Sequence, residues 1–335
     1  MRRALSTATR PLGAANPAAA GASAFTYRGA LVRALAPDFA TAALRSPGAA
    51  GPAIDGALAA AQHAAYVAAL TAALPPNSVR ELPAAVGCPD SVFLEDTAVV
   101  VGGRALLAAP GAPSRRGEAE AVGAALRSLG YAVHAMAAPG TLDGGDVLYT
   151  GREVFVGLSA RTNALGAEAL RAAFPGLRVT AVPLAELAAG AARGVRHRLA
   201  HATAAAERAE ELAACAPLHL KSLMCAVGKD TLAVAEGALG TAVAHAVQAA
   251  SGVPRGVRRA GGAVQFLLVK GAAANAVLVN GTLLVRAREE CPQGFAALAA
   301  YAEEEGLKLV ELNMSELAKA DGALSCCSIL LPELA

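Results

Sequence analysis

Two adjacent cysteines, Cys326 and Cys327, lie in an apolar, strand-like run between Asp321 and Leu331, close to the C-terminal end of the sequence. A cysteine thiolate can act as a nucleophile, whereas a buried thiol usually packs as a small hydrophobic side chain. A disulfide between neighbouring cysteines is strained, so pairing them explains little. In a strand the two side chains alternate faces, so only one of them can face a site. The pair alone leaves both interpretations open.

Three carboxylates, Asp90, Glu95 and Asp96, flank or interrupt a strongly apolar run that we interpret as a strand. Glu95 and Asp96 are adjacent and would point to opposite faces, so at least one of them should be directed inward. A buried carboxylate needs a cationic partner or several hydrogen-bond donors. A guanidinium group would supply both, because its planar fork matches the geometry of carboxylates.

Further polar residues stand where packing alone would not require them. Asp143 and Asp146 lie in LDGGDVL, which is also typical of a solvated turn, and His219 lies in HLKS, which we interpret as the start of a strand. Arg115 and Arg161 lie in polar, non-helical settings, and two arginines that converge on one pocket would bind a carboxylate. A thiol, a histidine and an acid can form an activated thiolate nucleophile. The acids and the arginines together would suit a zwitterionic amino acid with a cationic side chain.

The composition excludes several classes of function. The chain has 335 residues with 29 Lys and Arg against 27 Asp and Glu, and this balance gives no indication of nucleic-acid binding. Aromatic residues make up 4% and tryptophan is absent, so platforms for stacking bases are not expected. The 6 cysteines show no CxxC spacing and no cluster with histidine, so the sequence predicts no site with Cys and His ligands for a metal. No run is apolar enough to span a bilayer.

A β-hairpin, a helix and a strand recur about five times along the chain, if the N-terminal segment supplies the elements that the tail lacks. Hairpin signals stand at Gly102-Gly103, at Gly151-Arg152 and at Asn280-Gly281. Hairpins argue against a purely parallel sheet, and the repetition predicts one domain of repeated units that closes around a centre. The predicted helices are Ala30–Leu44, Gly56–Leu74, Glu118–Leu129, Asn163–Phe174, Leu239–Ala250 and Gly294–Glu305.

Three segments fall outside this repetition, namely residues 1–24, 185–216 and 251–262. Residues 1–24 contain three arginines and no acid, which is typical either of an organellar transit peptide or of a disordered tail. The expected compartment is the cytoplasm, or the mitochondrion or chloroplast if this segment is a transit peptide. Residues 25–335 are predicted to form the catalytic domain, with a helical insertion near 185–216.

Several long motifs resemble one known family. PDSVFLEDTAVV, PGAPSRRGE, LDGGDVLYTGREVFVGLSARTN, LHLKS and SELAKADGALSCCSILL occur in order, and the chain is similar from about residue 28 to 331 to dimethylarginine dimethylaminohydrolase, a pentein (guanidine-modifying) family. The resemblance implies an α/β fold, the five-bladed α/β-propeller of repeated ββαβ units, which agrees with the repetition described above.

The resemblance also implies roles for individual residues. It makes Cys326 the nucleophile and His219 the general acid and base, with Asp143 orienting His219. Seven further residues would bind the substrate. Glu95 and Asp96 would bind the guanidinium, and Arg115 and Arg161 would bind the α-carboxylate. Asp90, with the backbone of Leu44 and of Ala320, would lie at the α-amino end.

The implied reaction is hydrolysis of Nω-methylated arginine to citrulline and dimethylamine or methylamine, through a covalent thiouronium on cysteine. It requires no metal or organic cofactor, and the expected partner is a small-molecule substrate, with no nucleic acid or membrane, in a monomer or homodimer. Related arginine and agmatine deiminases carry an aspartate two residues after the catalytic histidine, where this chain has Lys221, which favours methylated substrates. Deiminase activity and a non-catalytic regulatory role remain the alternatives.

Overall fold

The computed structural model describes residues 25–45, 52–199, 219–251 and 264–334. The predicted N-terminal extension and the C-terminal part of the predicted insertion near 185–216 lie outside these ranges. Across the ranges that are described, no helix has both the length and the apolar character needed to cross a membrane.

Within these ranges, fifteen strands form five three-stranded sheets. The strands are β1 Tyr27–Arg33, β2 Val79–Leu82, β3 Ala98–Val101, β4 Arg104–Leu107, β5 Ala132–Ala135, β6 Val147–Tyr149, β7 Glu153–Gly157, β8 Arg178–Val182, β9 Met224–Gly228, β10 Thr231–Ala235, β11 Gln265–Val269, β12 Val277–Val279, β13 Thr282–Arg286, β14 Lys308–Leu312 and β15 Ile329–Pro332.

Each sheet repeats one pattern, in which an antiparallel pair is followed by a helix and then by a parallel third strand. The helices of the described residues are α1 Phe39–Ala42, α2 Gly56–Ala73, α3 Ala119–Ser128, α4 Ala164–Ala173, α5 Leu184–Leu199, α6 Ala238–Ser251, α7 Pro292–Glu304 and α8 Ser315–Ala318. In each blade, a helix between the second and third strands is needed because a parallel strand can be reached only through a crossover. The predicted ββαβ units and the five-bladed α/β-propeller are therefore confirmed.

The two ends of the chain complete one blade together. Strand β1 pairs antiparallel with β15, with Leu31 opposite Ile329, and it pairs parallel with β2 on its other side. The N-terminal segment thus supplies the strands that the C-terminal tail lacks, as the repetition predicts.

The segment Ala30–Leu44 is a correction to the sequence analysis, because it is not a helix. Its first residues belong to β1, and only the short helix Phe39–Ala42 follows them. Alanine favours a helix locally, but Ala30 to Val32 are fully buried between β15 and β2, and pairing on both sides outweighs that preference.

A short 3₁₀ turn precedes the first strand of every blade, and we call these five segments the central turns. They are Leu94–Thr97, Gly144–Asp146, Leu220–Ser222, Gly271–Ala274 and Ser325–Cys327. The sequence analysis placed Glu95, His219 and the two cysteines in strands or at a strand start, which is wrong. Five of the predicted site residues lie in a central turn or directly beside one, because the strand starts only after the turn ends, and they are Glu95, Asp96, Asp143, His219 and Cys326.

The first strands of all five blades line a central cavity of about 360 Å³. The apolar core lies between the blades as five separate clusters, so each blade packs on its neighbours rather than around one common core. The central turns are left as the place where polar side chains from different blades meet.

Gly144 tests how tightly the central turns are packed. A Cβ atom at this position would collide with the backbone carbonyl of Glu95 in the neighbouring turn, and neither backbone can yield easily. We expect Gly144→Ala to lower the free energy of unfolding by about 1–3 kcal/mol, as overpacking does, when it is measured by urea denaturation. The matched variant Gly117→Ala, whose Cβ would enter open space, should change it by less than about 0.5 kcal/mol. Equal effects of the two substitutions would contradict this packing.

Candidate active site

A second, smaller cavity adjoins the central turns and collects most of the predicted site residues. Eight of the ten predicted residues line it, and they are Leu44, Asp90, Asp96, Arg115, Arg161, His219, Ala320 and Cys326. The other two, Glu95 and Asp143, lie directly behind this lining. The structure therefore brings together residues that are up to 282 positions apart in the sequence, from Leu44 to Cys326.

His219 is held by carboxylates on the second blade and in the first central turn. Its Nε2 atom lies 3.0 Å from Asp143 Oδ2 and 4.0 Å from Asp96 Oδ1, and all three side chains are buried. Burial alone would lower the pKa of His219, but Asp96, the hydrogen bond to Asp143 and the charge of Asp146 outweigh it and raise the pKa to about 9. At neutral pH the imidazole is therefore cationic and can donate a proton.

Asp143 is itself fixed by its surroundings. Its Oδ1 atom accepts a hydrogen bond from the backbone N–H of Gly111 at 2.7 Å, and its own N–H donates to Thr162 Oγ1 at 3.1 Å. Because the carboxylate has little freedom, it fixes the orientation of the His219 ring.

Asp96 belongs to a buried chain of alternating charges. Arg115 Nη1 donates to Asp96 Oδ2 at 2.6 Å, while Arg115 Nη2 donates to Glu118 Oε2 at 2.8 Å. Burial would raise the pKa of Asp96, but His219 and Arg115 together hold it below its usual value. Asp96 therefore faces the cavity as a carboxylate and can accept hydrogen bonds from a cationic ligand.

Arg115 is more fully engaged than the sequence analysis expected. Besides Asp96 and Glu118, it donates from Nη2 to the carbonyls of Asp90 and Phe93 at 3.2 and 2.9 Å. A guanidinium has five N–H donors, and these contacts leave one Nη1 hydrogen for a ligand. Arg115 thus organises the acidic side of the cavity in addition to lining it.

The guanidinium of Arg161 is less engaged in contacts than that of Arg115. Its side chain is 20% exposed, lines the cavity, and approaches Asp143 Oδ2 only to 3.9 Å through Nη1. At the same end of the cavity, Asp90 Oδ1 accepts a hydrogen bond from the Leu44 backbone N–H at 3.0 Å. Burial raises the pKa of Asp90, and the nearby Arg115 and Arg161 counteract part of this effect.

Glu95 lies next to the small cavity but does not line it. Its Oε1 atom is 2.5 Å from Lys221 Nζ, and its Oε2 accepts a hydrogen bond from Ser325 Oγ at 2.8 Å. Glu95 and Lys221 line the large central cavity instead of the small one. Adjacent acids on a strand would point to opposite faces, but on the 3₁₀ turn both Glu95 and Asp96 are buried.

The two cysteines differ in their surroundings. Cys327 is fully buried in the apolar core, and its thiol donates to the Ala323 carbonyl at 3.5 Å. Cys326 is only partly buried and lines the small cavity beside His219. Desolvation raises the pKa of the Cys326 thiol, and the negative charges of Glu95 and Asp96 raise it further. A cation placed between these carboxylates and the sulfur would counteract the second effect.

Hydrogen bonds connect the five central turns into a closed ring. Gly145 N–H donates to Asp96 Oδ1 at 3.0 Å, and Leu220 N–H donates to Asp146 Oδ1 at 3.0 Å. Asn275, directly after the fourth turn, joins the third and fifth turns through the Lys221 carbonyl at 3.1 Å and the Ser325 N–H at 3.0 Å. The bond from Ser325 to Glu95 closes the ring.

Asn275 and Ser325 were not predicted from the sequence as site residues, and Asp146 was predicted without a role. Asp146 is fully buried and also accepts from Ser159 Oγ at 2.6 Å, and burial raises its pKa to about 6. The only signal for Asn275 was a polar residue after a run of alanines and before an apolar strand, which also fits an ordinary turn.

Asp96, Asp143 and His219 also offer ligand atoms within 4.8 Å of one another, as a metal site would. In this structure the same side chains are already paired, since His219 contacts Asp143 and Arg115 contacts Asp96. Cationic side chains thus supply the positive charge that these carboxylates require.

The pKa of His219 predicts how stability depends on pH. A folded-state pKa near 9 above an unfolded value near 6.5 adds stability below pH 6.5, and this contribution is lost as the pH rises through 9. We expect the loss to be roughly 3 kcal/mol for this group. Chemical denaturation at pH 6.5 and 9.5 measures it, and the fall should be smaller in His219→Gln. Equal falls in both proteins would contradict the assignment.

Comparisons with known proteins identify the family to which the chain belongs. No protein-family model matches the chain. It is 34% identical over 259 residues to the N(G),N(G)-dimethylarginine dimethylaminohydrolase of Streptomyces coelicolor, which covers 76% of this chain and 79% of that protein.

Two solved structures resemble the fold. The first is the dimethylarginine dimethylaminohydrolase of Pseudomonas aeruginosa, a Cys→Ser variant in complex with citrulline, with a TM-score of 0.68, 25% identity, and coverage of 92% of this chain and 100% of that one. The second is the N-terminal domain of a cyanobacterial arginine dihydrolase, with a TM-score of 0.65 and coverage of 91% and 99%, and at 17% identity it supports the fold alone. The chain belongs to the dimethylarginine dimethylaminohydrolase family.

Proposed function

We propose that the protein hydrolyses Nω-methylated arginine, as asymmetric dimethylarginine or monomethylarginine, to citrulline and dimethylamine or methylamine. The observation that carries the proposal is the small cavity in which Cys326, His219 and the Asp96 carboxylate face one another. The similarity to a named dimethylarginine dimethylaminohydrolase supports it, because that protein is 34% identical over most of both chains.

The substrate would bind among the acidic and basic side chains that line the small cavity. Asp96 would accept hydrogen bonds from the guanidinium, while Arg161 and the remaining Arg115 hydrogen would hold the α-carboxylate. Asp90, with the backbone of Leu44 and of Ala320, would lie at the α-amino end. Glu95 would act on the guanidinium through its charge, because its two oxygens already bind Lys221 and Ser325.

In the first step the Cys326 thiolate adds to the central carbon of the guanidinium. The cationic substrate lies between the sulfur and the carboxylates that raise the pKa of Cys326, so binding favours deprotonation of the thiol. The C–N bond to the dimethylamino or methylamino group then breaks as His219 donates a proton to the departing nitrogen. A thiouronium covalently bound to Cys326 remains.

In the second step water replaces the sulfur. His219, now neutral, takes a proton from a water molecule that attacks the thiouronium carbon. The C–S bond breaks as the new hydroxyl group loses its remaining proton to solvent, so the thiolate of Cys326 is regenerated and citrulline leaves with the new oxygen. Asp143 keeps the imidazole in place through both proton transfers, because its own position is fixed by Gly111 and Thr162.

Substitution of each cysteine tests this mechanism directly. Cys326→Ser should reduce citrulline formation from asymmetric dimethylarginine by at least about 1,000-fold, because a serine hydroxyl is a much weaker nucleophile. Cys327→Ser is the matched control and should keep most of the activity, since this side chain lies in the core. A colorimetric citrulline assay measures both variants. Full activity in Cys326→Ser would exclude the proposal.

The same citrulline assay distinguishes between the alternative substrates. Lys221 forms an ion pair with Glu95, so no second carboxylate is free at this position to bind an unmethylated nitrogen. We therefore expect a higher kcat/KM for the two methylated arginines than for arginine or agmatine. Faster release of ammonia from arginine would favour a deiminase, and no turnover of any of the four compounds would favour a regulatory protein.

Arg161 should contribute to affinity only for substrates with a carboxylate. Loss of a charged hydrogen bond costs about 1.5–3 kcal/mol, so Arg161→Ala should raise KM for asymmetric dimethylarginine about 10- to 100-fold. The decarboxylated analogue, dimethylated agmatine, should lose nothing further on this substitution. Arg116→Ala is the matched control, since this exposed arginine lies outside the cavity lining. A similar rise in KM for both substrates would contradict the role of Arg161.

A further inference from the structure

Asn275 links the nucleophile to the rest of the site without lining the small cavity. Its side chain is 3% exposed, and it follows the central turn of the fourth blade. Its Oδ1 atom accepts from the Ser325 backbone N–H at 3.0 Å, and its Nδ2 atom donates to Ser325 Oγ at 2.9 Å and to the Lys221 carbonyl at 3.1 Å.

The turn that carries Cys326 has little internal support. Its own backbone hydrogen bonds, from Cys327 N–H to the Leu324 carbonyl and from Ser328 N–H to the Ser325 carbonyl, are both 3.4 Å long. Such lengths lie beyond the usual range for N–H···O bonds, so they hold the turn only weakly. The two bonds from Asn275 to Ser325 are shorter than either of them.

Asn275 also completes the pairing of the buried Glu95. Ser325 Oγ accepts from Asn275, and its own hydrogen is thereby directed to Glu95 Oε2 at 2.8 Å. The contact to the Lys221 carbonyl fixes the backbone of the residue whose ammonium pairs with Glu95 Oε1. Asn275 thus holds both groups that compensate this carboxylate.

We propose that Asn275 is a positioning residue for the reaction, which fixes Ser325 so that the neighbouring Cys326 sulfur is held at the attack distance from the guanidinium carbon. This inference rests on the proposed function, because it concerns the same nucleophile. Its effect passes through the backbone of the turn, so it should act on the chemical step far more than on substrate binding.

Steady-state kinetics of Asn275→Ala tests the inference. We expect kcat for asymmetric dimethylarginine to fall about 10- to 100-fold, because a small misplacement of a reacting atom has effects of this size. KM should change by less than about threefold, since the groups that face the substrate remain. A fall in stability without a fall in kcat of the folded protein would overturn the proposal.

Asn280→Gly is the matched control on the same blade. Asn280 makes two hydrogen bonds to Tyr27, at 2.8 and 3.0 Å, and its φ of 47° suits glycine. This variant should keep the kcat of the wild type even where it lowers the melting temperature. A loss of kcat equal to that of Asn275→Ala would make both effects structural and would overturn the proposal.

Two further measurements keep the test decisive. If Asn275→Ala does not fold, Ser325→Ala removes the hydroxyl that Asn275 holds, and an unchanged kcat in this variant would overturn the proposal.

Alkylation of Cys326 by iodoacetamide, followed by peptide mass spectrometry, measures the reactivity of the thiol without any substrate. The alkylation rate should differ from that of the wild type in Asn275→Ala but not in Asn280→Gly. If the wild type forms no citrulline, the proposed function is wrong. If the wild type is active and Asn275→Ala has the same kcat, only the proposed role of Asn275 is refuted.

Discussion

The centre of the protein holds carboxylates away from water, and this constraint determines how the site is built. An unpaired buried charge is very costly, and removing one partner of a buried ion pair typically costs about 3–5 kcal/mol. Asp96 therefore has Arg115 and the Gly145 N–H, Asp143 has His219 and the Gly111 N–H, and each Glu95 oxygen has its own donor. Except for Arg115, which lies on the same blade as Asp96, each partner comes from a different blade than its carboxylate, so this pairing also joins the blades at their centre.

The five-fold repetition explains why such a centre exists. Each blade begins with a short 3₁₀ turn and continues into a strand that lines the axis, so every blade brings one polar segment to the same place. The blades have diverged in what they bring, namely acids from the first and second, His219 and Lys221 from the third, Asn275 from the fourth and Cys326 from the fifth. The fold supplies the convergence, and the side chains of the turns supply the chemistry.

Much of this could be predicted from the sequence. Hairpin signals such as Asn280-Gly281, where both residues have positive φ, gave the repeating unit, and the motifs gave the residues that line the cavity. The errors at the site have one physical cause, since a 3₁₀ turn of three or four residues has no periodicity of its own and merges with the strand that follows. Glu95 and the two cysteines were placed in strands for this reason, and their orientations were derived from the wrong geometry. The helix predicted for Ala30–Leu44 was wrong for another reason, because burial between two strands outweighs the helical preference of alanine.

The partners of the site residues were beyond sequence reasoning. The bonds of Asn275 to Ser325, and of Asp146 to Leu220, join positions 50 and 74 residues apart, and nothing in either segment specifies the other. We infer that convergence of the turns makes Cys326 the nucleophile, and trapping of the covalent intermediate would show this. His219→Gly can be supplied with S-methyl-L-thiocitrulline, whose thiolate leaves without a proton from histidine, and then digested for peptide mass spectrometry. We expect a thiouronium adduct on the peptide at Cys326 and none in the variant that also carries Cys326→Ser. An adduct that persists in the double variant would show that Cys326 is not the nucleophile.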